Sequence, residues 1–236
     1  MKKINILWLY DDLLDLYGDS GNISVITYYF IKANIPYQID KKSINDKLNF
    51  NYDLIYIGCG KLKNLVVANE HLKSYKEAFN TAIKQDKIII MTGNSQLMLG
   101  KSITTKENVT YEGLNIFDFE SFDNNEVYIS DVIATSELSS NTNMYGFINR
   151  TAYIQAYDNK YPFLTIKQGL NDISIPTEER GIAYHNLLAT WLLGPLLVKN
   201  PSLLETILKR LNSNEDTIEL ETLQYKAYEM TIDEFK

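Results

Sequence analysis

Residues able to do chemistry are few in this chain, and they gather around one turn. The apolar run Ile88-Ile89-Ile90-Met91 strikes Thr92-Gly93-Asn94-Ser95 and resumes as Gln96-Leu97-Met98-Leu99-Gly100. Strand, sharp turn and helix in that order make the ligand crevice of open α/β sheets, and they make the nucleophile elbow, which holds one side chain up on a strained turn. The apex of such an elbow is usually Cys or Ser. Here it is Gly93, which has no side chain. Two other residues offer an attacking atom. Cys59, in Gly58-Cys59-Gly60, belongs to a turn expected to face the elbow, although a small buried residue in a tight turn is the favoured reading, since free Cys is commonly buried and no His is close in sequence. Ser95 lies two residues past the apex and fits the first turn of the following helix, with Thr92 or Asn94 as cap. Asp11, Asp12, Asp15 and Asp19 resemble a metal cluster by count and lie in a loop dense in turn residues.

The elements that must position these residues follow from hydrophobic spacing. Residues 4–10 form a continuous apolar run, the mark of a strand buried on both faces. After the turn-rich loop 11–22, residues 23–33 carry apolar positions at helical spacing, with Asn22 as N-cap. Strands are expected at 37–40 and 53–57, and one helix over 65–84, which puts His71 on a solvated helix face. This alternation ahead of the elbow predicts a parallel sheet with right-handed crossovers. Beyond Gly100 the pattern shortens. Segments 127–134, 144–148, 151–156 and 163–166 read as meandering antiparallel strands separated by Asn, Asp, Ser and Gly. Residues 181–198 read as a strand ending in a Gly194-Pro195 turn; helices are expected from Pro201 to about Asn212 and over 216–233. With no internal repeat or low-complexity linker, residues 1–236 read as one domain carrying a helical extension at 213–236.

Composition narrows the function classes. Hydrophobic residues make up 45% and charged residues 22%, ordinary for a globular chain of 236 residues. A net charge of −7 without a Lys/Arg cluster argues against nucleic acid as partner. No apolar run approaches the roughly 18 residues that a membrane helix needs, and the short run after Met1-Lys2-Lys3 reads as a strand rather than a secretory segment. A single cysteine fits a reducing cytoplasm. Two histidines and one cysteine exclude a conventional structural zinc site, and no cofactor is expected.

Four segments together resemble the glutamine amidotransferase-like family of GatD and the related amidotransferase domain of cobyric acid synthase (CobQ/CobB type). Leu9-Tyr10-Asp11-Asp12-Leu13-Leu14-Asp15-Leu16-Tyr17-Gly18-Asp19-Ser20-Gly21-Asn22 is similar to the family's opening loop. Asp53-Leu54-Ile55-Tyr56-Ile57-Gly58-Cys59-Gly60 matches its strand and glycine-rich turn. Gly93-Asn94-Ser95-Gln96-Leu97-Met98-Leu99-Gly100 matches the elbow CGGYQLLG. Ala189-Thr190-Trp191-Leu192-Leu193-Gly194-Pro195-Leu196-Leu197-Val198-Lys199-Asn200-Pro201 matches GTYLHGPLLxxNP. The resemblance implies an α/β, flavodoxin-like, mainly parallel sheet flanked by helices with a small antiparallel extension. It implies an oxyanion and ligand pocket at Gly58, Cys59, Gly60, Asn94, Ser95 and Gln96, and a partner-contact loop at Asp12, Tyr17, Gly18, Asp19 and Asn22. It also implies a cytoplasmic, Mur-ligase-like partner, with which such a subunit amidates a cell-wall precursor using ammonia from glutamine.

The same comparison exposes departures. The family's elbow Cys attacks the glutamine amide and a His activates it; those positions here are Gly93 and Leu193, and the position of the glutamine-binding Arg is Val127. His185 precedes Leu193 by eight residues, too far along a strand, at about 3.3 Å per residue, to replace the missing base. Three readings follow. The chain is a catalytically degenerate subunit with a structural or regulatory role; or it is an active glutaminase using Cys59 or Ser95; or its crevice binds glutamine or another small carboxylate without chemistry, at the helix N-terminus after Gly93.

Overall fold

The computed structural model describes residues 2–155, 160–169, 180–212 and 218–235. Its centre is a six-stranded sheet built from β1 (Ile4–Leu9), β2 (Tyr37–Lys42), β3 (Leu54–Ile57), β4 (Ile88–Thr92), β10 (Ile182–Tyr184) and β11 (Leu187–Thr190), in the spatial order β10-β11-β4-β3-β1-β2. All its pairings are parallel except β10 with β11. Every residue of β3, β4 and β11 is buried, which is why their sequences are unbroken apolar runs instead of alternating ones. The crossovers are α1 (Gly21–Lys32), then α2 (Leu62–Lys73) and α3 (Lys76–Lys84); α4 (Leu196–Lys199), α5 (Pro201–Leu211) and α6 (Thr222–Asp233) follow the sheet's last strand.

The second sheet holds β5 (Ser102–Thr104), β6 (Thr110–Glu112), β7 (Glu120–Thr135), β8 (Asn143–Gln155) and β9 (Thr165–Gly169), mostly antiparallel. Here the expected meander is corrected. Segments 144–148 and 151–155 are one strand of 13 residues whose buried positions alternate, and segment 127–134 lies inside a strand of 16. The Asn and Asp residues that suggest turns sit instead where the β7/β8 register shifts, between Asp123 and Tyr128. Of the expected strand 151–156, Ala156 lies outside the described residues, as do the first two residues of the expected helix 216–233, and 213–217 and 236 of the C-terminal extension.

Three further expectations change. The helix over 65–84 is two helices, because Ser74 and Tyr75 donate to His71 and Leu72 three residues back, tightening the turn and ending α2. The strand over 181–198 is a hairpin, β10 and β11, turning at His185, whose φ is 54°. Asn22 is not the N-cap of α1. It lies one residue inside the helix and is buried, where its amide donates to the Asp19 carbonyl and to the Tyr56 hydroxyl and its oxygen accepts from Leu197 N–H. Among the described residues no helix is long and apolar enough to cross a membrane.

Candidate functional site

The elbow stands at the carboxyl end of β4. Gly93 has φ +57°, the left-handed region that glycine adopts without penalty. The chain then runs from Gly93 to Leu99 as a 3-10 helix of 7 residues rather than an α-helix. Carboxylate binding was expected at the N-terminus of an α-helix, whereas the turn starting here is the tighter 3-10 form. The expected caps also change. Thr92 occupies the N-cap position but makes no capping bond, while Asn94 clamps the facing loop: its oxygen accepts from Gly60 N–H at 3.1 Å and its amide donates to the Gly60 carbonyl at 2.6 Å.

What fills the apex decides what the site can do. A Cβ added at Gly93 would lie 2.5 Å from Cys59 Cβ and 2.9 Å from Leu193 Cδ2, both inside any real carbon–carbon contact. Cys59 and Leu193, both buried, have thus closed over the space where a nucleophile's side chain would begin. Leu193 is held there by pairing with Phe147, its N–H donating to the Phe147 carbonyl at 2.9 Å.

Below the apex lies a carboxylate. Asp19 is 1% exposed. It accepts from Cys59 N–H at 3.0 Å, from the Asn22 amide at 2.9 Å and from the Thr92 hydroxyl. Burial pushes the Asp19 carboxyl above the usual range, and the bonds from Thr92 and Cys59 pull it partly back. Two N–H groups of the expected oxyanion pocket, those of Cys59 and Gly60, are therefore already taken, one by Asp19 and the other by Asn94. Burial first, and then the Asp19 charge, push the Cys59 thiol well up; its Sγ donates to the Leu16 carbonyl at 3.3 Å. A thiol so placed is the opposite of an activated one. Ser95 is fully buried and donates to the Thr92 carbonyl at 2.8 Å, so its hydroxyl belongs to the turn. Gln96 is buried too, its amide donating to the Gly93 carbonyl at 3.1 Å.

The expected partner-contact loop divides. Asp19 and Asn22 are buried in the network just described and cannot meet a partner; Asp12, Tyr17 and Gly18 are exposed. Tyr17 packs edge-to-face on Phe147 with centroids 5.6 Å apart. The neighbouring acids are used singly: Asp11 pairs with Lys41 at 2.7 Å, Asp12 accepts from the Ser43 hydroxyl at 2.6 Å, and Asp15 accepts from Ser20 N–H at 2.7 Å. The histidines are elsewhere. His185 sits in the β10/β11 turn, at the opposite end of β11 from Thr190, which pairs beside Thr92; its Nδ1 is 2.9 Å from Asp86. His71 is half-buried, contrary to the solvated face expected. Its Nε2 donates to the Asp46 carbonyl at 3.1 Å, which leaves Nδ1 to accept from the Tyr10 hydroxyl at 3.0 Å.

A crevice of about 190 Å³ opens over this floor, lined by Tyr17, Cys59, Lys61, Asn94, Arg150 and Leu193 among others. Arg150 is the residue that sequence reasoning missed. Val127 is 61% exposed and takes no part, whereas Arg150 on β8 pairs directly opposite Tyr128 and lies over the rings of Tyr128 and Trp191, at 4.8 and 5.0 Å. Cross-strand register brings it to the crevice, and no local sequence signal marks it.

The comparisons with known proteins agree with this architecture. The model of the CobB/CobQ-like glutamine amidotransferase domain matches residues 5–201, and the chain belongs to that family. Within it, the chain is similar to the GatD subunits of lipid II isoglutaminyl synthase (glutamine-hydrolyzing). It is 26% identical to that of Streptococcus pneumoniae over 203 residues, covering 85% of this chain and 77% of the relative. Identity to that of Staphylococcus aureus is 26% over 211 residues, covering 89% and 85%. The glutaminase domain of Trypanosoma brucei CTPS, solved with bound acivicin, shares the fold with a TM-score of 0.51 at 11% identity, over 92% of this chain and 96% of that one.

Proposed function

We propose that this chain is a GatD-type subunit that no longer hydrolyses glutamine and that serves a Mur-ligase-like partner structurally or as a regulator, in the cytoplasm. The observation that carries this reading is the overlap at the apex. Any side chain at residue 93 collides with Cys59 and Leu193, and the N–H groups of Cys59 and Gly60 are already engaged. Acyl transfer needs an activated nucleophile, a base and free oxyanion donors. The reading is supported by the raised thiol of Cys59, by the distance of both histidines from the turn and by the engagement of two of the candidate donors. The similarity to GatD subunits supports the partner, and the exposed Asp12, Tyr17 and Gly18 beside the crevice are the surface proposed to meet it.

The test is ammonia release from glutamine by the purified chain, alone and with a Mur-ligase-like protein co-expressed. The expected result is no release above buffer, together with co-purification of the two chains. Release that disappears in Cys59→Ala would overturn the reading. A second reading, retention of a small carboxylate ligand, is favoured by Arg150 and Lys61 in the crevice wall. Glutamate titrated into the chain would then bind saturably, and Arg150→Met would weaken that binding.

A further inference from the structure

A second and larger cleft lies away from the elbow. It has a volume of about 380 Å³, within the ~300–1,000 Å³ span of small-molecule sites, and it shares no lining residue with the crevice. It lies between α1, α4 and α6. Val25 from α1 and Val198 from α4 form one wall, and Leu223 and Ala227 from α6 the other. The rings of Tyr28, Tyr145 and Tyr228 complete it.

The elements around this cleft meet at its edges through polar bonds. Gln224 on α6 accepts from the Tyr29 hydroxyl at 2.7 Å, the Tyr228 hydroxyl donates to the Asn143 carbonyl at 2.7 Å, and Phe235 lies tilted against Tyr145 with centroids 4.9 Å apart. No residue of α6 is buried. Leu223 and Ala227 of α6 therefore face Val25 of α1 and Val198 of α4 across the cleft, while the buried faces of α1 and α4 pack into the core beneath.

Lys199 and Glu221 bring charge to the lining of the cleft. At one end Glu221 is already matched, accepting from Lys32 at 2.9 Å and from the Tyr28 hydroxyl at 2.5 Å. At the other end stands the Lys199 ammonium, 4.0 Å from the centre of the Tyr145 ring and 6.0 Å from that of Phe147. The carboxylate that acts on it is Asp131, which accepts from the Tyr145 hydroxyl at 3.1 Å. Burial lowers the Lys199 pKa, and the Asp131 charge partly offsets it.

We propose that this cleft binds a small aryl carboxylate, its ring against the tyrosine and valine walls and its carboxylate on the Lys199 ammonium. A cationic ligand would meet Lys199 as a like charge on the same rings, and a neutral one would leave that charge unmatched. The site does not depend on the crevice or on the state of the elbow.

The test uses the full chain titrated with 3-phenylpropionate, followed by calorimetry and by protein NMR. Saturable one-to-one binding is expected. Lys199→Met, which keeps the stem and removes the charge, should weaken it at least tenfold. Ala227→Trp, an exposed position on the cleft wall, should abolish it without disturbing the fold. The amine analogue 3-phenylpropylamine should not bind, and Arg150→Met in the crevice should leave the affinity unchanged. The proposal is overturned by absence of saturable binding, by equal binding of acid and amine, by binding that survives both cleft variants, or by loss in Arg150→Met.

Discussion

At the scale of residues, the exchange of side-chain volume between Gly93, Cys59 and Leu193 makes a measurable claim. Gly93→Ala puts a methyl group 2.5 Å from Cys59 Cβ and asks alanine to hold φ +57°. Overpacking of this kind costs about 1–3 kcal/mol, and left-handed backbone adds about 1–2 kcal/mol. Urea denaturation should therefore show a loss of that order, and Cys59→Gly in the same chain should recover the overpacking share. The coupling between the two changes is the quantity to extract; additive effects would sink the claim. It follows that Gly93→Cys with Leu193→His should not become labelled by a glutamine-mimicking electrophile until Cys59→Gly is added. Asp19 gives a second test. Its carboxyl titrates above the ordinary range when folded, so the stability it contributes is complete below the unfolded value near 3.9 and is lost as pH rises through the raised folded value. Asp19→Asn should remove that decline. Denaturation of both chains across pH 4 to 8 reads it as a difference, and parallel curves would refute it.

At the scale of elements, the parallel core was legible because burial on both faces writes itself as uninterrupted apolar runs, as in Ile88-Ile89-Ile90-Met91 and Leu54-Ile55-Tyr56-Ile57. The antiparallel sheet was less so. Its long strands expose one face, and Asp123, Asn124, Asn149 and Arg150 placed in mid-strand look like punctuation. Of the two absences at the site, Gly93 showed in the strand-turn-helix pattern, and Leu193 only through resemblance to a family that has His there. Arg150 was not visible at all, since only the pairing of Tyr128 with Arg150 brings it to the crevice. Asp19 was misjudged for a plainer reason. The resemblance put this acid on a partner-contact loop, and the groups that accept its burial, Thr92 and the Cys59 amide, lie 73 and 40 residues away. Removal of α6 tests the element that the core uses least. A chain ending at Asn212 loses the Lys32–Glu221 pair, the bonds of Gln224 and Glu221 to Tyr29 and the partly buried Ile218 and Leu220, but no buried side chain of α6. It should stay folded, with a stability loss of no more than about 2 kcal/mol. Collapse of the cooperative unfolding transition in this truncated chain would show that α6 belongs to the core.

At the scale of the whole molecule, the fold is that of a glutamine amidotransferase domain, and the crevice and the α6 cleft differ in kind. The elbow crevice is small, polar-floored and closed by packing, whereas the cleft under α6 is roomier and apolar. A net charge of −7 lies over the surface, and the cations that line the concavities, Arg150, Lys61 and Lys199, stand against that background. Salt should therefore act in opposite directions on two readouts. Screening relieves the general self-repulsion of the acidic surface and weakens any anion held by those few cations. Affinity for glutamate or 3-phenylpropionate should fall between 50 and 500 mM NaCl while the melting temperature holds or rises; affinity indifferent to salt would exclude charge as the handle.

The stitching of Cys59 and Gly60 to Asp19 and Asn94 has a consequence in time. Loop amides ordinarily trade their hydrogens with solvent in minutes, yet these two lie outside any strand and are fastened to a buried acid and a side-chain amide. In heavy water they should keep their protons about as long as the amides of β3 and β4, so that the slowest clock in the molecule runs through a segment that carries no regular secondary structure.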